Sequence, residues 1–401
     1  MTWFKSPETT VKFGVQHKTL GFQYLNSFQD SIQFEIKTRP AEFAQYMKFK
    51  YAPNSVWIIE PGLRLSHYNV FPDSLFPDLR LGVKYLLTDD RYINMSMGNY
   101  HQFICTFQDD YNPTILDQWI AVDPSVAPGK STQFVLGYEE YIRNTYKVQI
   151  EGYYKDIKNL LTFEEKRSTT DAEISDEKLS DILTPADGYA YGLEVFGQKM
   201  SGNLSGWLAY TFSISRKVMN SIYVGEVREY YTNWDRTHAF SALGNYQFNE
   251  KWEMNWRLAL QSGQAYTPIL GYYVQHFPGS PDETFRTIPG TRNSGRYSPY
   301  SRLDLGLVYH AKIRSTKLDI FLQIINTFNR ENVFAKRYTL GNTYNGLDDD
   351  DDWVAEEHDT NGNGEPDAGE PNVDEADESK IQENKISLFP IIPTIGFTWE
   401  F

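Results

Sequence analysis

A single cysteine, Cys105, in 401 residues leaves nothing to pair with, so an intramolecular disulfide framework is excluded and Cys105 reads as a small apolar residue at a strand end. Long hydrophobic runs are missing too. Only 40% of residues are hydrophobic, mean hydropathy is −0.53, and no apolar stretch reaches about eighteen residues, so the chain has no membrane-spanning helix. Met1-Thr2-Trp3-Phe4-Lys5-Ser6 lacks the charged start and apolar core of a secretory signal. No nucleophile elbow, glycine-rich phosphate loop or Cys/His cluster appears, and the seven histidines are scattered. The chain is therefore not expected to be an enzyme. No nucleic-acid partner is expected either.

What the chain does have is alternation. Ile395, Phe397, Trp399 and Phe401 interleave with Thr394, Gly396, Thr398 and Glu400, and side chains on a strand point alternately to its two faces. The same ladder recurs where Trp252, Met254, Trp256, Leu258 and Leu260 alternate with Glu253, Asn255, Arg257, Ala259 and Gln261. Further copies run through 145–156, 204–215 and 302–310. A soluble sandwich also alternates, but it spaces its strands at roughly 8–12 residues, and these stretches are about ten residues or longer. Aromatics reach 15%, with 28 Tyr, 25 Phe and 9 Trp, many near strand ends where interfacial girdles need them. The pattern predicts an all-β fold, an antiparallel transmembrane β-barrel of outer-membrane type with about fourteen strands present. Trp252, Trp256, Leu305 and Phe397 are expected on the lipid face, with Arg257, Asp304 and Glu400 inside.

Short polar turns fall at Pro53-Asn54, Asp89-Asp90, Arg143-Asn144, Ser201-Gly202-Asn203, Asn249-Glu250 and Arg314-Ser315. Longer loops alternate with them at about 19–40, 70–77, 108–130, 164–187, 216–236, 264–299 and 338–384. In outer-membrane barrels the short turns face the periplasm and the long loops face outside.

Several segments resemble a known family. LALQSGQAYTP (258–268), RYSPYSRLDLGLVY (296–309), FLQIINTFNRENVF (321–334) and the terminal PTIGFTWEF (393–401) look like the C-terminal half of TonB-dependent receptors, especially those of Bacteroidota. NWDRTHAFSALGNYQF (233–248), EGYYKDIKNLL (151–161), MGNYHQF (97–103) and PGLRLSHY (61–68) are similar to the same family upstream. The resemblance implies residence in the cell outer membrane, with lipid around the wall, and a barrel of about 22 strands, of which residues 1–401 would be the C-terminal portion. It also implies a plug domain and an energy-coupling box not present in this sequence, so Met1 is expected to lie inside a longer protein. Partners implied are the TonB energy-coupling complex, acting through that N-terminal part, and the barrel assembly machinery, reading the terminal aromatic strand. The ligand would be extracellular and small or oligomeric: a siderophore, vitamin, oligosaccharide or peptide. Two alternatives stay open, a passive outer-membrane channel and a calcium-dependent surface-binding module.

Charge is concentrated in one loop. Between Tyr338 and Ser379 lie fifteen acidic residues and no Lys or Arg. A run such as Asp348 to Asp352 is ordinarily a solvated segment. Within the loop, residues 359–370 match the calcium pattern D-x-[DN]-x-[DN]-G-x5-E at every specified position. Asp359, Asn361, Asn363, Glu365 and Glu370 would supply oxygen ligands, with Asp367 able to act at position 9 and Gly364 making the turn. Pro366 at position 8 and the lack of a flanking helical pattern depart from the usual motif. Calcium is thus a possible ligand of this loop and not a required cofactor. The 264–299 loop differs: Tyr272, Tyr273, His276, Arg286, Arg292 and Arg296 would suit capture of an anionic or aromatic ligand. Asn233-Trp234-Asp235-Arg236-Thr237-His238 opens a strand and reads as a structural motif.

Overall fold

The computed structural model describes residues 1–28, 31–107, 118–163, 183–220, 227–276, 283–340, 353–367 and 381–400. The chain divides into two compact units: Met1–Thr267 with Arg292–Arg330 and Phe389–Phe401, and Pro268–Thr291 with Glu331–Leu388. The first unit is built on a 16-stranded sheet. Its neighbours follow chain order from Thr2–Ser6 to Ile392–Glu400, every pair antiparallel.

Local chemistry makes the short connections. Arg143 (φ 53°) and Asn144 (φ 51°) sit in the left-handed region that tightens a hairpin, as does Arg314 (φ 56°). The Asn54 side-chain oxygen accepts from the N–H groups of Val56 and Trp57, both at 3.0 Å. Asn249 does the same for Lys251 and Trp252 at 2.8 and 3.1 Å. These Asx turns start the next strand at a fixed register.

The sheet holds more strands than the sequence pattern suggested. Thr2–Ser6 adds a short strand that pairs with Thr9–Thr19, and Val227–Tyr231 pairs with the end of Leu204–Asn220. The 19–40 stretch read as a loop contains its own ribbon, Phe22–Phe28 with Ser31–Thr38, and Gln118–Ala121 inside the 108–130 stretch pairs with Ile104–Phe107 just before it. Period two marks a strand wherever it lies, so it cannot separate a wall strand from the arm of a protruding hairpin.

Register fixes the two faces. Directly opposed residues share a face. One row runs Gly244, Trp256, Leu305, Ile324, and a second runs Tyr246, Met254, Leu307, Leu322, Ile395. Trp252 opposes Tyr309, which opposes Ile320 and then Phe397. The opposite face carries Arg257 with Asp304, Asn255 with Gly306 and Gln323, and Lys312 with Lys317 and Glu400. All seven residues singled out from the sequence therefore fall on the faces expected of them. Ile395, Phe397 and Leu322 remain 76%, 69% and 45% exposed, the condition of side chains meant for hydrocarbon.

The polar face is laced with charge pairs. Arg64 reaches Glu42 at 2.6 Å, His101 reaches Asp78 at 2.8 Å, Lys84 and Lys147 flank Glu139 at 3.6 and 3.8 Å, and Arg302 holds Asp304 at 2.7 Å. Paired in this way, charges can sit along a half-buried surface without leaving one uncompensated. A small apolar cluster, Tyr68, Phe103, Ile120, Val122, Val126, Leu161 and Leu183, forms at the loop-side ends, with half-buried Cys105 packed against it. Burial pushes the Cys105 thiol up to about 11, which keeps it protonated and unreactive.

The second unit has two ribbons, Ile269–His276 with Glu283–Pro289 and Val333–Leu340 with Ile381–Ser387, and a single helical turn, Ala355–His358. Among the described residues no helix is long and apolar enough to cross a membrane.

Candidate functional site

The ends of the 264–299 loop are tied down by a buried carboxylate. The Asp235 side chain is fully buried; its Oδ2 accepts the Ser215 N–H at 2.7 Å and its Oδ1 accepts Arg296 Nη2 at 2.6 Å. Arg296 Nη1 also donates to the carbonyls of Asp235 and Gly263 at 2.9 and 3.3 Å, and its guanidinium lies 4.3 Å from the Tyr231 ring centre. Beside it Tyr266 and Tyr297 stack with ring centres 4.4 Å apart. A Cβ on Gly263 would fall 1.7 Å from the Tyr297 carbonyl oxygen, so only glycine fits there.

Arg292 is buried in a neighbouring nook. Its Nη1 donates to the Tyr230 hydroxyl at 3.1 Å and lies 3.4 Å from Thr162 Oγ1 and Met219 Sδ. Of the six residues the sequence suggested for ligand capture, the structure thus brings Arg292 and Arg296 to the loop base, each engaged with protein groups. Tyr272, Tyr273, His276 and Arg286 belong to the ribbon of the second unit, where register sets Tyr273 opposite Arg286 and His276 opposite Glu283. Tyr273 is exposed. The side chains of Tyr272, His276 and Arg286 lie outside the described residues. Asp235, Tyr230, Tyr231 and Thr162 did not stand out in the sequence as partners of these arginines. The one signal was the clustered Asn233–His238 motif.

The acidic loop begins with a cap. Asp359 Oδ1 accepts the N–H groups of Asn361 and Gly362 at 3.2 and 2.5 Å, and its Oδ2 accepts Gly364 N–H at 2.8 Å. Asn361 Oδ1 accepts Asn363 N–H, and Asn363 Oδ1 accepts Glu365 N–H. Asp367 Oδ2 accepts both amide groups, from Asn361 at 2.6 Å and Asn363 at 2.5 Å. Gly362 (φ 77°) and Gly364 (φ 80°) take the left-handed conformations that let the loop close. The N–H of Gly364 foremost, with those of Gly362 and Asn361, holds the Asp359 carboxyl below the ordinary aspartate range. The helical turn Ala355–His358 leads directly into this loop, a flanking helix the sequence pattern did not show. Glu370 lies outside the described residues, and among those described no three His, Cys, Asp or Glu side chains cluster as for a metal.

A sheet with one apolar, exposed face and one face of paired charges is the wall of an outer-membrane β-barrel. The profile of the family described as TonB dependent receptor-like, beta-barrel matches residues 2–327, and the chain belongs to that family, whose members are outer-membrane receptors. Its fold is shared with a mutant of the ferric enterobactin receptor from Pseudomonas aeruginosa, at 12% identity and a TM-score of 0.54, covering 98% of this chain and 50% of that one. P. aeruginosa FpvA, solved bound to pyoverdines, gives 12% identity and a TM-score of 0.53 over 82% of this chain and 43% of its own. The FrpB iron transporter from Neisseria meningitidis gives 13% and 0.52, over 82% and 50%. The chain spans about half the length of these receptors. No curated protein matches the sequence.

Proposed function

We propose that the chain is the barrel wall of an active outer-membrane transporter that takes up a scarce nutrient with TonB-derived energy. The observation that carries this reading is the facial division of the family's sheet: apolar rows such as Trp256–Leu305–Ile324 against a wet face of ion pairs such as Arg64–Glu42 and Lys84–Glu139. Such a wet face suits an aqueous lumen that a plug can occupy and leave. Ligand contact is assigned to the ribbon bearing Tyr272, Tyr273, His276 and Arg286, and Arg292 and Arg296, each engaged with protein groups, are assigned to holding the base of the 264–299 loop.

The test is uptake by cells expressing the full-length receptor, using radiolabelled ferric siderophores, vitamin B12 and oligosaccharides in parallel. One of these classes should accumulate above its external concentration, and accumulation should collapse when a protonophore removes the inner-membrane gradient. Equilibration unaffected by the protonophore would establish a passive channel instead.

The closed Asp359–Asp367 loop favours a second assignment, calcium bound by Asp359, Asn361, Asn363, Glu365, Asp367 and Glu370. The loop already brings Asp359, Asn361, Asn363 and Asp367 together, calcium would turn the Asn361 and Asn363 amides so that their oxygens replace the NH2 groups now on Asp367, and fifteen neighbouring acids would otherwise repel one another. Calorimetry on the intact receptor is expected to give a Kd of about 0.1–1 mM for calcium. Asp359→Ala and Glu370→Gln should each abolish the measurable heat. Equal heats for calcium and magnesium, in wild type and variants alike, would reduce the effect to charge screening.

A further inference from the structure

An open pocket of about 380 Å³ lies on the apolar face of the sheet. Tyr210 opposes Phe240, Phe240 opposes Leu260 and Leu260 opposes Ser301, so the floor lies in the same face as Leu258, Leu303 and Trp256, the face turned to lipid. It also lies at the long-loop end of the strands. His238 begins its strand, Gln261 ends the next one, and the 264–299 loop follows at once.

The floor is apolar and the rim is not. Tyr210 hydroxyl and His238 Nδ1 are 2.9 Å apart. Arg330 closes the other side, pinned along its length: Asn326 Oδ1 accepts the Arg330 N–H at 3.3 Å, Asn326 Nδ2 donates to its carbonyl at 3.1 Å, and Arg330 Nη2 donates to the Pro299 carbonyl at 3.1 Å. Among the described residues no carboxylate stands within ion-pair distance of Arg330. An exposed, pre-positioned guanidinium beside an imidazole and a phenol, above a floor of Phe240 and Leu260, presents forked donors to an anion and hydrocarbon contact to whatever carries it.

We infer that this cavity seats a phosphorylated lipid of the outer leaflet, its phosphate on Arg330, His238 and Tyr210 and its acyl chain over Phe240 and Leu260. A soluble anion has no route to the lipid face except through the headgroup layer, where the lipid's own phosphates already stand. Polar and cationic side chains at the membrane surface favour anionic headgroups, while the apolar floor favours a chain over bulk water.

The inference rests on the lipid-facing assignment and is tested on the full-length receptor in mild detergent. Native mass spectrometry would follow binding of diphosphoryl lipid A, the same lipid with its phosphates removed, and inorganic phosphate. Wild type should retain the phosphorylated lipid about fivefold more tightly than the dephosphorylated one, and Arg330→Gln should erase that preference. Arg330→Lys should keep part of it. Lys251→Gln, a charge loss at the short-turn end, should leave it intact. Equal retention of both lipids by wild type, an unchanged preference in Arg330→Gln, or displacement of the lipid by inorganic phosphate alone would each overturn the inference. The wild-type comparison of the two lipids decides the matter even if a variant fails to fold. Correct insertion is read separately from heat-modifiable migration, so failure of the lipid site is distinguishable from failure of the barrel.

Discussion

Leu305→Arg is expected to destabilise the inserted receptor by about 2–4 kcal/mol, whereas Gln323→Arg, one strand away on the opposite face, should change stability by about 0.5 kcal/mol or less. Leu305 sits in the row Trp256–Leu305–Ile324 near the middle of Tyr300–Ile313, so a guanidinium there enters hydrocarbon with no water and no counter-charge. Gln323 opposes Gly306 and Thr394, in the row of small and polar residues on the wet face. Urea titration of the receptor in lipid vesicles, read by heat-modifiable migration, separates the two. A lower midpoint for Gln323→Arg would mean that the faces have been assigned the wrong way round, and similar midpoints for both variants that neither faces lipid.

That contrast also shows why the wall was legible in the sequence and the loops were not. A strand's side chains alternate whatever surrounds them, so Trp256 and Arg257 announce two faces in two letters, and register only had to align the neighbours. Nothing comparable marks a loop arginine. Arg296 reads as a free cation among tyrosines until Asp235, 61 residues earlier, arrives beside it from another connection. Arg292 meets Tyr230 and Thr162 across 62 and 130 residues. Their proximity depends on how several connections pack together, which no local pattern encodes. The acidic loop is the converse case, because the Asp359–Asp367 hydrogen bonds all close within eight residues, and the Asp/Asn/Gly spacing alone foretold the turn.

The Asp235–Arg296 pair gives the largest stability effect expected anywhere in the loop base, and the two halves of the pair are not equivalent. Asp235 has no exposure at its side chain, whereas Arg296 keeps 29%. Arg296→Ala therefore strands a buried carboxylate whose remaining hydrogen bond is the Ser215 N–H, and removing one member of such a pair costs about 3–5 kcal/mol. Asp235→Asn should cost less, about 1–3 kcal/mol, because the guanidinium retains two carbonyl acceptors, the Tyr231 ring and partial solvent access. With the carboxylate neutralised first, losing the arginine should matter less, so the double variant is expected to be more stable than Arg296→Ala alone. Freed of its tie, the 264–299 loop should also be cut by protease sooner in Arg296→Ala than in wild type. Denaturant midpoints for the two singles and the double, measured on the full-length receptor, test the ordering. An Arg296→Ala receptor as stable as Asp235→Asn, or a double variant that simply adds the two losses, would show that the carboxylate reaches water and that the loop base is held mainly by the Tyr266–Tyr297 stack and the Gly263 turn.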